Sequence, residues 1–229
     1  EFRDLGFDAY GFDLHERVKY RGDNDRKYFG FAPEASSDTS DHTVASSYRM
    51  PFHDDFFDFA FSTSVIEHIM DLPRANEEIA RVLKPSGSAM HSYPHILVPV
   101  EPHLYIPYGG LIRSKIWSHI WSFFGVRNEC YEGKNAKIYA EACWRYYRTG
   151  LVYHSRSELH RIIGKEFATV KDLTGQWQHA YREPPLWKLI LSARGQRYPL
   201  RHIARQIPLH VVFCSAKRSQ SAPKLPGDR

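Results

Sequence analysis

Cysteine is scarce in these 229 residues: Cys130, Cys143 and Cys214 are the whole complement. An odd number with no close pair excludes a disulfide framework and a zinc ribbon, and a reducing cytoplasm is the expected compartment. No run of about 18 apolar residues occurs, so no helix is expected to span a membrane, and no charged-then-apolar leader opens the sequence. The 13 histidines form no H-E-x-x-H and no paired carboxylate-histidine spacing, so no metal site is expected. The absence of G-x-S-x-G, and of a cysteine in a recognisable setting, removes the common nucleophilic hydrolases. Acidic residues are sparse late in the chain, where Glu183 alone accompanies Arg182, Lys188, Arg194, Arg197, Arg201 and Arg205. That stretch reads as solvated helix faces, with a membrane surface or an acidic substrate as the other options. The net charge of +5 lacks the clustering of a nucleic-acid footprint, so no nucleic acid is expected as a partner.

What is present is enough apolar sequence, 42%, for one α/β domain over 1–216, with a disordered tail over 217–229. Phe2 to Gly6 reads as the last turn of a helix with a glycine stop, and the first residue is Glu1 rather than Met. The sequence is therefore expected to begin inside a domain. A strand follows within Asp8–Leu14 and ends in Asp13; 22–42 reads as loop, with a short strand near Thr43–Ala45. Phe57–Ser62 is a compact apolar run suited to a strand buried on both faces. Asp71-Leu72-Pro73 opens a helix in which Leu72, Ala75, Ile79 and Val82 recur at helical spacing, with Lys84 in its last turn and Pro85 and Gly87 ending it. Ser88–Tyr93 is the next strand.

From Pro94 to Arg148 the sequence turns Pro-rich and aromatic, an insertion expected to be helical in part. Ile112, Ile116, Trp117, Ile120, Trp121 and Phe124 share one face of a helix over Ile112–Val126, with Arg113, Ser118 and Ser122 opposite. Packing on the domain, a lid over a pocket and a membrane-surface contact are all open to it. Ser155 and Glu158 stand at capping-box spacing ahead of a helix to Ile163. Phe167–Leu173 reads as a strand, Pro185–Ala193 and Leu200–Gln206 as short helices, and His210–Ala216 as the terminal strand.

A parallel sheet with crossover helices binds ligands beyond the carboxyl ends of its strands, so Asp13 and Ser62 to His68 should border one crevice. An acidic strand end there can accept bonds from both hydroxyls of a ribose. The blocks Met50-Pro-Phe-His-Asp-Asp-Phe-Phe-Asp58 and Arg81-Val-Leu-Lys-Pro-Ser-Gly87, joined through Val65-Ile-Glu-His68, resemble those of the class I S-adenosylmethionine-dependent methyltransferases. The resemblance covers about residues 1 to 95 and, more weakly, the closing strand. It implies a Rossmann-like, doubly wound, mostly parallel sheet with an antiparallel terminal strand. It also implies that S-adenosyl-L-methionine is the cofactor, with Asp13 on its ribose, Ser62, Thr63 and Ser64 beside its methionine end, and Glu67 and His68 nearby. Where the family has an Asp for the adenine this chain has Ser46, and Met50 is the alternative, by stacking. The family's first strand and Gly-rich loop would lie upstream of Glu1, and truncation of the sequence is the expected reason for their absence.

Methyl transfer from a sulfonium is an in-line displacement, in which alignment and the acceptor's proton are what a protein can manage. His103 and His95 are the candidate bases, with His91 behind them and Tyr105 and Glu101 as helpers; His68 reads as a helix-start residue beside the cofactor. The expected reaction is methylation of a small-molecule, glycan or lipid-like acceptor, at oxygen. The alternative is a methyltransferase-like binding or scaffolding module without catalysis. Nucleic-acid methylation would call for an Asn-Pro-Pro-Tyr type motif, which Ser62-Thr-Ser-Val65 is not. Peripheral membrane contact is a further partner reading, and nothing in the sequence sets the oligomeric state.

Overall fold

The computed structural model describes residues 2–13, 29–31, 49–180, 200, 203 and 209–218. Strands β3 (Phe57–Thr63), β4 (Leu83–Pro94), β5 (Phe167–Asp172) and β6 (Leu209–Lys217) form one sheet in the order β3-β4-β6-β5. β3 and β4 are parallel, and β6 is antiparallel to both β4 and β5, so β5 runs with β3 and β4 and the terminal strand alone is reversed. This is the mixed, mostly parallel α/β sheet expected from the sequence. A separate parallel pair joins β1 (Gly11–Asp13) to β2 (Phe29–Phe31), with Asp13 opposite Phe31. The short strand thus falls inside the segment read as loop, while Thr43–Ala45 lies outside the described residues.

Ahead of β1, Arg3–Leu5 form one 3-10 turn closed by Gly6 at φ 89. Phe2 then leans on Phe61 and Tyr10 on Phe57, with ring centroids 5.1 and 5.7 Å apart. β3 departs from expectation in its burial. It is an edge strand of the described sheet, and Phe59 and Phe61 are 46% and 52% exposed among the described residues; apolar composition alone does not reveal which flank they leave uncovered.

Helix α1 (Leu72–Val82) starts as read: the Asp71 side chain accepts from the Arg74 amide and Pro73 sits in the first turn. It stops earlier than expected, because Leu83 already adopts extended backbone and opens β4. Lys84 is therefore a strand residue, paired with Asp58 at 2.7 Å. Helix α4 (Arg156–Glu166) carries the expected cap, Ser155 Oγ accepting from the Glu158 amide. Its Leu159, Ile162 and Ile163 join Leu72, Ala80, Leu83, Ala89, Phe167 and Val212 in the main core. Asn76 Nδ2 donates to the Ile162 carbonyl between α1 and α4.

The insertion has a core of its own, built from Leu104, Ile106, Tyr139, Cys143, Tyr147, Leu151 and Tyr153. Helix α2 (Lys115–Phe123) packs on α3 (Ala136–Thr149), but with a face rotated from the apolar one expected: Trp117 and Trp121 still pack on the insertion core, joined by the serines of the other side. Ser118 and Ser122 are fully buried, whereas Ile116, Phe123 and Phe124 are 72 to 76% exposed. Serines four residues apart are small enough to let helices approach, and Ser118 Oγ satisfies itself on the Ser114 carbonyl at 3.0 Å. Helix α3, with Asn135 as its cap, and the short α5 (Thr174–Ala180) had not been read from the sequence. The late basic cluster and the two short helices expected within it, except Leu200 and Ile203, lie outside the described residues, as does the tail from 219; Lys217, expected to open that tail, instead closes β6.

The two sequence blocks meet at Arg81. Its guanidinium donates to Glu78, to Asp54 and to the Met50 and Phe52 carbonyls at 2.7 to 3.1 Å, while the Met50 amide donates to Glu78. Burial alone would raise the Glu78 carboxyl, but the Arg81 hydrogen bond and the Met50 amide outweigh it and hold it below its usual range. The turn before β3 is thereby fixed to the end of α1.

Within β4, burial pushes the His91 imidazole down from 6.5 to about 4, and its Nδ1 pairs with Ser62 Oγ at 2.8 Å. The unfolded chain takes up that proton near 6.5 and the fold refuses it until about 4. Stability is full above this window and falls as pH drops through it, by about 3 kcal/mol from this group. Urea unfolding near pH 7 and near pH 4 should show the parent losing about that much more than His91→Gln; equal losses would contradict the assignment.

Candidate functional site

Because β3 and β4 are parallel and Thr63 lies opposite Ser92, the segments that follow both strands leave the same edge of the sheet. In open α/β sheets that edge is where ligands bind. Ser62 faces inward to His91, whereas Thr63 and Ser64 are exposed. Ser64 turns the chain in the left-handed region, φ 52, with its amide on the Ser92 carbonyl at 2.8 Å. A non-glycine residue held there is strained and persists only where its surroundings impose it. A 3-10 turn, Ile66–His68, follows. Its position is set from α3's far end: Val152 N donates to the Glu67 carbonyl at 2.6 Å, and His68 Nδ1 lies 2.7 Å from the Gly150 carbonyl.

Beyond β4 the chain makes a closed loop in which the Tyr105 amide donates to the Glu101 carbonyl and the Glu101 amide to the Ile106 carbonyl. Tyr105 and Tyr108 both take positive φ, 56 and 49. The loop wraps the fully buried Glu101 carboxylate. Oε2 accepts from the His103 and Leu104 amides at 3.0 and 2.6 Å; Oε1 accepts from Tyr153 Oη at 2.8 Å and His103 Nδ1 at 2.6 Å. Gly109 is required at this point: a Cβ would lie 2.7 Å from Tyr147 Oη and 2.9 Å from Glu101 Cβ.

These contacts aim His103 at the end of β3. Its Nε2 is 3.1 Å from His68 Nε2, and the two rings meet edge to face. Glu67 stands beside them, 2% exposed, and neither carboxylate oxygen has a hydrogen-bond partner among the described residues. One ligand atom each from Glu67, His68 and His103 fall within 4.8 Å of one another. Burial raises the Glu67 carboxyl to about 7. Burial opposes charge on His103, but the Glu101 carboxylate and, further off, Glu67 outweigh it and raise the imidazole above its ordinary value.

The candidate residues named from the sequence distribute unevenly. Glu67, His68 and His103 come together, with Thr63 and Ser64 at the strand end that leads to them. His95 stacks on His210 at 4.3 Å, and its Nδ1 accepts from the Leu97 amide. Met50 is held through both backbone polar groups by Glu78 and Arg81, Asp13 closes β1, and Ser46 lies outside the described residues. Tyr153 was missed, and so was the grouping of Glu67 with two histidines. The set draws on a neighbouring pair and a residue 35 positions away, a spacing that no helical or loop motif announces. The one local signal was Glu101-Pro-His103, a carboxylate two residues from a histidine.

Residues 1–90 match the family model described as a methyltransferase domain. An uncharacterised protein of Mycobacterium tuberculosis is 50% identical over 52 residues, 22% of this chain and 17% of that protein. An uncharacterised methyltransferase of Mycobacterium avium is 35% identical over 71 residues, 31% of this chain and 28% of that protein. The match therefore spans less than a third of either curated relative. Among solved structures, an S-adenosylmethionine-dependent methyltransferase of Mesorhizobium loti aligns over 95% of this chain and 84% of its own, at 12% identity and a TM-score of 0.44. The matched span holds the blocks that the Arg81 clamp joins around β3 and α1, and over residues 1–90 this chain is similar to methyltransferase domains.

Proposed function

We propose that the protein transfers the methyl group of S-adenosylmethionine to an oxygen of a small-molecule, glycan or lipid-like acceptor at the edge where β3 and β4 end. The observation that carries this reading is the convergence of His103 and His68, from two different segments, beside the strained turn at Ser64. The residues suit the cofactor: an acidic residue closes β1, and the exposed hydroxyls of Thr63 and Ser64 follow β3. Asp13 would hold the ribose, Thr63 and Ser64 the methionine end, and Met50 the adenine by stacking. Ser62 would contribute its backbone, since its hydroxyl is engaged by His91. S-adenosylmethionine supplies an electrophilic methyl on a sulfonium. The chain's own part is to align an acceptor oxygen with it, and of the two histidines singled out, His103 is the one we place against that oxygen.

A lipid-like acceptor is favoured by α2. Its outward face carries Ile116, Ile120, Phe123 and Phe124, and residues 111–149 hold seven Lys and Arg against three Glu, a surplus of four out of the chain's +5. An apolar helix face within a basic segment fits an anionic lipid surface. No helix among the described residues is long and apolar enough to cross a membrane, so the contact would be peripheral.

Calorimetry of the natural full-length protein should show S-adenosylhomocysteine binding, weakened by about 1 to 3 kcal/mol in Asp13→Ala as a charge-assisted bond is lost. No binding by the parent would reject the reading, and binding without transfer to any acceptor would leave a binding module. The protein should float with phosphatidylglycerol vesicles and not with phosphatidylcholine, and Ile116→Glu/Phe123→Glu should stay behind. Parent protein that ignores both vesicles, or that instead dimerises through this face by sedimentation, would remove the lipid surface.

A further inference from the structure

We infer that Glu67, His68 and His103 bind a divalent first-row transition ion, with zinc the best match. No motif in the sequence assigns such a site; the hydrogen bonds of the two rings do. His68 Nδ1 faces the Gly150 carbonyl at 2.7 Å, and His103 Nδ1 faces the Glu101 carboxylate at 2.6 Å. A carbonyl and a carboxylate can only accept, so each Nδ1 must carry its proton. In the neutral rings both Nε2 atoms then present lone pairs, and these point at each other across 3.1 Å. Two lone pairs at that distance repel unless something positive lies between them.

The third side of the gap is Glu67. Its carboxylate is 98% buried, by the 2% exposure of the residue, and both its oxygens lack a partner among the described residues. An anion buried without a partner costs several kcal/mol, which a bound cation would remove. Two imidazoles and one carboxylate form the donor set of open zinc sites and of other divalent transition ions. The Nε2 separation fits two donors about 2 Å from one ion at an angle of about 100°. The three ligand atoms span up to 4.8 Å, so closure onto an ion about 2 Å from each donor needs a contraction of at most about 1.5 Å, within side-chain reach. The outer partners are the kind that fix metal-bound histidines: each ring is oriented by an acceptor on its other nitrogen.

His103 remains 25% exposed at its side chain, which leaves the ion an open position. If the proposed function holds, that position would take the acceptor hydroxyl and lower its pKa, so that an alkoxide rather than an alcohol meets the methyl group. Metal binding itself does not depend on that function.

Equilibrium titration of the natural protein with Zn2+ after chelator treatment should give one saturable site, and Co2+ in its place should give ligand-field bands of a low-coordinate ion. His103→Ala and the isosteric Glu67→Gln should weaken Zn2+ by about 100-fold or more, while His119→Ala, on the exposed face of α2, should bind as the parent does. Zn2+ should also raise the melting temperature of the parent, a readout that needs no variant. Absence of saturable binding, or equal affinity in parent and Glu67→Gln, would mean that a proton alone bridges the two rings and would overturn the inference. S-adenosylhomocysteine binding on the same samples separates the two ideas. Protein that takes the nucleoside but no zinc loses only the metal, and protein that takes zinc but no nucleoside loses only the methyltransferase reading.

Discussion

One buried carboxylate organises the region where this chain's chemistry would occur. Glu101 is sealed from water and accepts four hydrogen bonds, two from amides of its own loop, one from Tyr153 and one from His103. A carboxylate in such surroundings is tolerable only if its lone pairs are answered, and removing one donor would leave a charge-assisted bond unmade. That demand explains the loop's strain at Tyr105, the closeness of Gly109 and the fixed direction of the His103 ring. It also joins the insertion to the sheet, because Tyr153 lies beyond α3 while His103 reaches the turn after β3.

Two cores divide the labour. The main one, between the sheet and α1 and α4, is ordinary α/β packing and sets the common edge from which the two ligand-facing segments leave. The second, with three tyrosines among its seven buried residues, holds the insertion together, and two of its phenol oxygens donate, Tyr139 to the Leu104 carbonyl and Tyr153 to Glu101. Tyrosines in such a core bury area while their hydroxyls join a polar network. The insertion therefore serves as the rigid mount for His103, and its outer helix is free to present apolar side chains elsewhere.

Much of the sheet was legible because its signals are local. The apolar run of β3, the Asp71 cap, the Ser155 capping box and the Val- and Phe-rich closing strand each follow from a few adjacent residues. Where the reading failed, the cause was a preference that tertiary packing overrode. Polarity predicts a solvent face for serine on α2, yet at positions 118 and 122 its small size brings two helices together. Charge suits Lys84 to a helix end, yet Leu83 already turns into the strand. In the site, His103 and Glu101 could be singled out by type, but not their meeting with Glu67 and His68. That juxtaposition comes from the parallel register of β3 and β4 and the contacts of Gly150 and Val152, all long-range in sequence.

Glu101 holds His103 over the end of β3, the place that the proposed function gives the methyl donor. A crystal structure of the natural protein with S-adenosylhomocysteine tests it most directly. The sulfur should lie beside Thr63 and Ser64, on the side that His103 Nε2 faces, with the Glu101 contacts intact. A nucleoside bound elsewhere, or a His103 ring turned away from the sulfur, would contradict it.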